Sequence, residues 1–225
     1  MADKFLRCEG DTDRVVFEHL LQSKGYVILP EKPKPCTSKE PGGEIAALNN
    51  AITLVKQGVP LVVAALDLNG DNFSALCARA EAALNENAIS FKGGNGDYTA
   101  GKTRLKIVPV GLPRNPFLVS LGVKSHSIDD FLLVLLHERS VYDQFLEVEK
   151  LKTPDFETTF SGLKKAAETL RKEGISIDRS KQMLDLVRAI LGFRASPATL
   201  AERVLKAAPS PIAEDLLRPL AEAIP

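Results

Sequence analysis

Tryptophan is absent from the chain, and aromatic side chains make up only 6% of its 225 residues. A protein that binds single-stranded nucleic acid by stacking needs an array of aromatic rings, so a large stacking platform is excluded. The three cysteines, Cys8, Cys36 and Cys77, are odd in number and lack the spacing of a zinc site. We therefore expect reduced thiols and a cytoplasmic protein.

Long apolar runs are also missing. The longest lie around Leu61–Leu66 and Phe131–Leu136, whereas a helix that spans a bilayer needs about 20 residues. Residues Met1–Arg7 include charged side chains and no apolar signal segment. Lysine plus arginine and aspartate plus glutamate both number 29, so the formal net charge is zero. We expect no membrane association, and a uniformly basic surface for nucleic acid is excluded, although a local basic patch is not.

Strand-like and helix-like patterns alternate through the first 110 residues. Strands are predicted at Lys4–Cys8, Tyr26–Leu29, Leu61–Leu66 and Leu105–Val110, and helices over residues 13–23, 44–57 and 73–87. The unbroken apolar run of the third strand is typical of a parallel strand covered on both faces. This order predicts an α/β fold with a Rossmann-like open parallel sheet of about four strands flanked by helices. Residues 30–43, rich in proline and lysine, are predicted to be a linker.

No further strand is predicted beyond Val110. Helices are expected over residues 128–137, 160–172, 180–191, 198–207 and 212–223. Pro197 follows Ser196 as a first-turn proline follows a helix cap. We predict an α/β domain at residues 1–137 and an all-helical extension at residues 138–225, and we expect any homo-oligomer to form through that extension.

Acidic side chains follow two of the predicted strands. They are Glu9, Asp11 and Asp13 after the first strand, and Asp67 and Asp71, with Asn69 between them, after the third. In open parallel sheets functional groups gather past the carboxyl ends of the strands. Carboxylates brought together there repel each other by about 1 kcal/mol or more per pair, and a hard divalent cation offsets that repulsion. The alternative is that the acids cap helices, which suits Asp11 and Asp13 well.

These segments resemble the motifs of Toprim domains. The string Phe5-Leu6-Arg7-Cys8-Glu9-Gly10-x-x-Asp13 is similar to their opening motif, and Leu66-Asp67-Leu68-Asn69-Gly70-Asp71 is similar to their second motif, Asp-x-Asp. Ser127-Ile128-Asp129-Asp130-Phe131-Leu132-Leu133 occupies the place of a late acidic segment, with Asp129 where glutamate is more usual. The resemblance covers roughly residues 3–136. It is greatest to small stand-alone Toprim-like proteins and to the OLD-nuclease branch.

The resemblance implies a Mg²⁺ or Mn²⁺ site that cleaves phosphodiester bonds in nucleic acid. Glu9 and Asp67 would be the catalytic residues, with Asn69 or Asp71 beside Asp67 on one ion and with Asp13 and Asp129 near a second. The short chain and its three tyrosines favour hydrolysis over strand transfer through a covalent intermediate. Asn69 stands where the second aspartate of Asp-x-Asp is usual, so the alternative is a non-catalytic module that binds nucleic acid or a protein partner.

A glycine-rich segment, residues 93–104, ends in the two cations Lys102 and Arg104. The string Gly96-x-x-x-x-Gly101-Lys102-Thr103 has the form of a P-loop, but a strand rather than a helix is predicted to follow it, which disfavours nucleotide binding. We interpret this segment as a solvated hairpin. The alternative is a mobile loop from which Lys102 or Arg104, the candidate substrate-binding residues, contacts a substrate phosphate.

Overall fold

The computed structural model of the protein describes residues 4–21, 24–30, 43–70, 72–151 and 154–225. These residues form two compact units, Met1–Val110 with Pro219–Pro225, and Gly111–Arg218. The predicted linker lies almost entirely outside the described residues, as does Asp71. The predicted domain boundary at residue 137 falls within the second unit.

The first unit contains one six-stranded sheet. Its strands are β1 (Lys4–Cys8), β2 (Val27–Pro30), β3 (Leu61–Asp67), β4 (Lys92–Gly94), β5 (Asp97–Ala100) and β6 (Thr103–Val110). They lie in the order β2-β1-β3-β6-β5-β4. The first four in this order pair in parallel, whereas β4 and β5 join as an antiparallel hairpin. The predicted α/β class, with four parallel strands, is confirmed.

Helices α1 (Asp11–Leu21), α2 (Glu44–Lys56) and α3 (Phe73–Glu86) connect the parallel strands. Val62, Ala64 and Leu66 of β3 share a core cluster with apolar residues of α2 and α3. The alternate residues Val63 and Ala65 point to the opposite face and are also fully buried. A strand covered on both faces requires apolar side chains at successive positions, which accounts for the run seen in the sequence.

Strands β4 and β5 form a hairpin within the glycine-rich segment. At Gly93, with φ of +106°, an added Cβ would lie 2.3 Å from the Asp97 carbonyl oxygen, so the tight pairing of the two strands requires glycine there. The interpretation of this segment as a hairpin therefore agrees with the structure. The hairpin is not wholly solvated, because Tyr98 and Ala100 of β5 are buried.

The second unit is helical. Its helices are α4 (Pro116–Ser120), α5 (Asp129–Leu136), α6 (Arg139–Glu149), α7 (Phe156–Lys172), α8 (Ser180–Leu191) and α9 (Pro197–Ala207), followed by α10 (Ser210–Ala223), whose last residues belong to the first unit. The Ser196 hydroxyl accepts the Thr199 amide at 3.1 Å, so the predicted cap of α9 is confirmed. Within the described part of the chain, no helix is long and apolar enough to cross a membrane.

Candidate functional site

Glu9 and Asp67 lie at the carboxyl ends of neighbouring strands. Asp67 is the last residue of β3, Glu9 directly follows β1, and the two strands pair in parallel. After β1 the chain continues to β2 on one side of the sheet, and after β3 it continues to β4, β5 and β6 on the other. In open α/β sheets ligands bind past the carboxyl ends of the strands at such a reversal of direction.

A hydrogen bond joins the two predicted catalytic residues. The backbone amide of Asp67 donates to Glu9 Oε1 over 2.9 Å. The other oxygen, Glu9 Oε2, faces Gly43 at the start of α2, where an added Cβ would lie 3.4 Å away. The Glu9 carboxylate therefore lies between the end of β3 and the start of α2, and it contacts Asp67 through the Asp67 backbone.

The surroundings of Glu9 disfavour its negative charge. Burial is the main cause that raises the pKa of Glu9 from 4.5 to about 7, and the charge of Glu44 adds to it. The Asp67 amide and the positive charge of Arg79 act in the opposite direction. At neutral pH the group is thus divided between its acid and its base forms, and an added cation would stabilise the base form.

Glu44 and Arg79 belong to the site although the sequence did not indicate them. Glu44 is the first residue of α2, Arg79 lies within α3, and Arg79 Nε donates to Glu44 Oε1 over 2.6 Å. Both charges act on Glu9. The two residues are 35 positions apart and follow no motif, so only the packing of α2 beside α3 shows that they meet.

The other predicted ligands of the first unit have different surroundings. Asp13, in the first turn of α1, is buried, and its Oδ2 lies 3.5 Å from where a Cβ on Gly10 would stand. Burial, and then the charge of Asp13, raise the pKa of the Cys8 thiol well above its ordinary value. Asn69 occupies an exposed turn after β3 with φ of +46°, a conformation that asparagine tolerates better than most residues.

The two predicted phosphate-binding cations lie at the opposite end of the sheet from Asp67, because Arg104 pairs with Leu61 at the start of β3 and Asp67 ends that strand. The structure therefore does not bring them together with Glu9 and Asp67. Arg104 holds Asp97 with two hydrogen bonds, of 2.9 and 2.6 Å. Lys102 is exposed at the turn between β5 and β6. Because a strand, and not a helix, follows Lys102, the P-loop interpretation fails on geometry.

Asp129 belongs to the second unit, where it forms part of a buried polar cluster. Its carboxylate accepts the Ser127 hydroxyl over 3.2 Å, and burial is the main cause that raises its pKa from 3.8 to about 6. The adjacent Asp130 is fully buried and accepts both the Leu112 amide, at 2.6 Å, and His126 Nδ1, at 2.8 Å. His126 is itself buried.

Among the residues that the structure describes, no group of three or more His, Cys, Asp or Glu side chains is arranged to hold a metal ion. The pair of Glu9 and Asp67 is the part of the predicted ligand set whose proximity a hydrogen bond establishes. Asp71, another predicted ligand, lies outside the described residues.

Comparison with known proteins finds a solved structure with a similar fold. No family model matches the chain, and no curated protein matches it. A solved structure, that of a hypothetical protein from Pyrococcus horikoshii OT3, is similar over 99% of this chain and 98% of its own, with a TM-score of 0.60 and 14% sequence identity. At that identity the similarity shows the fold alone.

Proposed function

We propose that the protein is a Mg²⁺- or Mn²⁺-dependent hydrolase of phosphodiester bonds in nucleic acid, with a Toprim-like carboxylate site at the ends of β1 and β3. The observation that carries the proposal is the hydrogen bond from the Asp67 backbone amide to the Glu9 carboxylate, which places the two motif residues side by side at the carboxyl ends of β1 and β3. Ligands of open α/β folds bind at this position.

The residues present fit a divalent cation in their chemistry. Glu9 and Asp67 offer carboxylate oxygens, the donors that Mg²⁺ and Mn²⁺ prefer. The charge of Glu44 opposes ionisation of Glu9, so a cation bound there would relieve repulsion between acids. Asp71 and Asn69, together with Asp13 and Asp129 for a second ion, stay predicted ligands.

Proton transfer is the alternative role of Glu9, in place of direct metal ligation. Its pKa of about 7 is close to the value at which a carboxylate both is ionised at neutral pH and has enough basicity to take a proton from water. The bound metal would supply an activated water and would stabilise the charge on the leaving oxygen. The Asp67 amide keeps the Glu9 carboxylate in one orientation, which a general base requires.

A second candidate is a non-catalytic module that binds nucleic acid or a protein partner. Asn69 favours it, because an amide in an exposed turn contributes no charge to a cation site. The two candidates differ in their response to metal. The module would bind its partner without cleaving it and would show little affinity for Mn²⁺.

The test combines Mn²⁺ calorimetry with cleavage of single- and double-stranded DNA and RNA in Mg²⁺ or Mn²⁺. We expect wild-type protein to bind Mn²⁺ and to cleave at least one substrate, and Glu9→Gln and Asp67→Asn to lose cleavage while unfolding as cooperatively as wild type. Glu86→Gln, which removes an exposed acid at the end of α3, is the matched control and should keep full activity. Undiminished cleavage by Glu9→Gln would refute the assignment.

Two further properties are part of the proposal. We infer a cytoplasmic location, which the free thiols of Cys8 and Cys77, both buried, support. Self-association through residues 138–225 stays a prediction, and sedimentation velocity over a range of protein concentrations tests it.

A further inference from the structure

An arginine and a glutamate form an ion pair beside the Glu9 carboxylate. Arg79 Nε lies 2.6 Å from Glu44 Oε1, and the side chains are 38% and 17% exposed, respectively. Each residue comes from a different helix, and each helix packs in the core that the parallel strands share. The Arg79 side chain is thus held between two packed helices and is partly exposed, with Nε on Glu44 and Nη2 buried.

The ion pair adjoins the proposed site. Glu44 directly follows Gly43, the residue that faces Glu9 Oε2. The charges of Arg79 and Glu44 both act on the Glu9 carboxylate. Arg79 therefore supplies positive charge near the acid that is proposed to serve the site.

The chemistry of arginine suggests what this charge binds. A guanidinium presents its N–H groups in a planar fork that matches the oxygens of a carboxylate or of a phosphate. Glu44 fills such a position with one carboxylate oxygen. A phosphodiester offers the same pair of anionic oxygens, so a nucleic acid strand entering the site would compete with Glu44 for the guanidinium.

We propose that Arg79 binds a phosphate of the nucleic acid strand at this site, and that Glu44 holds the guanidinium in position and competes with that phosphate. This inference rests on the proposed function, because it assumes a nucleic acid substrate. It predicts opposite effects for the two halves of one ion pair. Loss of Arg79 weakens binding of the strand, whereas loss of the Glu44 charge strengthens it.

The second unit contains a matched control. Arg203 Nε and Glu149 Oε1 are 3.5 Å apart, and their side chains are 38% and 19% exposed, which is close to the exposure of the Arg79 pair. Substitutions in this control pair change the net charge by the same amounts. Any effect of net charge alone must therefore appear in both pairs.

The experiment measures binding of a fluorescently labelled single-stranded DNA oligonucleotide by anisotropy, once in Ca²⁺ and once in chelator. We expect Arg79→Gln to weaken binding about tenfold to a hundredfold, since a hydrogen bond to a charged group is lost. Glu44→Gln should bind a few times more tightly than wild type, and Arg203→Gln and Glu149→Gln should bind as wild type does. Because a direct phosphate contact releases counterions, Arg79→Gln should also lower the slope of log K against log salt by about 0.7.

The outcomes separate the inference from the proposed function. If the oligonucleotide binds with the expected dependence on Arg79 but no metal-dependent cleavage occurs, hydrolysis is refuted and the phosphate site stands. If wild type cleaves while Arg79→Gln keeps both its affinity and its KM, the phosphate site is refuted and hydrolysis stands. Absence of oligonucleotide binding by wild type in both buffers overturns the inference. Thermal unfolding of each variant verifies its fold. Arg79→Lys keeps the charge but not the planar fork of N–H groups, so its affinity for the oligonucleotide should lie between those of Arg79→Gln and wild type.

Discussion

Replacing Glu9 with glutamine should stabilise the protein at alkaline pH in a chelating buffer. Burial, followed by the charge of Glu44, raises the pKa of Glu9 from 4.5 to about 7. A group whose pKa is higher in the folded state stabilises the fold fully below its unfolded pKa, and this contribution is lost as the pH rises through the folded pKa. One pKa unit corresponds to about 1.4 kcal/mol, so the ionised glutamate lowers the free energy of unfolding by about 3 kcal/mol. Glutamine carries no charge to bury, and its carbonyl can still accept the Asp67 amide.

Urea denaturation of wild type and of Glu9→Gln at two pH values measures this effect. At about pH 4.5, where the folded-state carboxyl is protonated, the two proteins should unfold with similar free energies. At about pH 8.5 the variant should be more stable by up to about 3 kcal/mol. Glu86→Gln, at an exposed position, should show no such difference. If the variant is no more stable than wild type at the higher pH, the buried charge of Glu9 does not destabilise the folded protein and the reasoning is refuted.

Adding Mg²⁺ to wild type and to Glu9→Gln tests whether Glu9 binds the metal. A cation that binds ionised Glu9 stabilises wild type by RT ln(1 + [L]/Kd), and the variant has lost that ligand. The difference between the two proteins at about pH 8.5 should therefore shrink, or change sign, as Mg²⁺ is added. A difference that stays constant across the titration would mean that Glu9 is no metal ligand.

Three other substitutions test separate parts of the structure. Asn69→Asp creates an Asp-x-Asp pattern in a turn whose φ of +46° aspartate tolerates. Because the substitution adds a negative charge, calorimetry should show Mn²⁺ binding that is about tenfold tighter than in wild type. Asp130→Ala leaves the Leu112 amide and the His126 ring without their acceptor, which should lower the free energy of unfolding in urea by about 3 kcal/mol or more. Tyr142→Phe removes the hydroxyl that contacts Thr159 Oγ1 and the Pro154 carbonyl, each at 2.5 Å, and thermal unfolding should show a loss of about 1 kcal/mol.

Much of the fold could be predicted because burial imposes simple patterns on the sequence. The apolar run of β3 and the periodic helices after residue 155 were found within a few residues of their observed bounds. The segment of β4 and β5 was interpreted as a solvated hairpin because three of its residues are glycines, and Tyr98 was the usable signal that β5 packs in the core. Helix α6 was not predicted, because charged residues flank the short apolar face that Val141, Tyr142 and Phe145 bury.

The candidate site could be predicted only where it follows strand ends. Glu9 and Asp67 were found because acids directly after apolar strands must lie near the edge of the sheet. Glu44 and Arg79 could not be found in this way, since each lies on a helix and their meeting depends on how α2 and α3 pack. A charged residue on a helix is usually solvated, and no spacing in the sequence distinguishes the few whose side chains lie at a binding site.

The two outer strands of the sheet are poor templates for a further strand. β4 has three residues, two of them glycines next to the exposed Lys92, and a lysine at an edge discourages pairing. At the other edge, β2 has four residues and ends at Pro30, which has no amide hydrogen to donate. A strand from a second molecule would therefore find little backbone to pair with. The folded protein should resist β-aggregation even at high concentration.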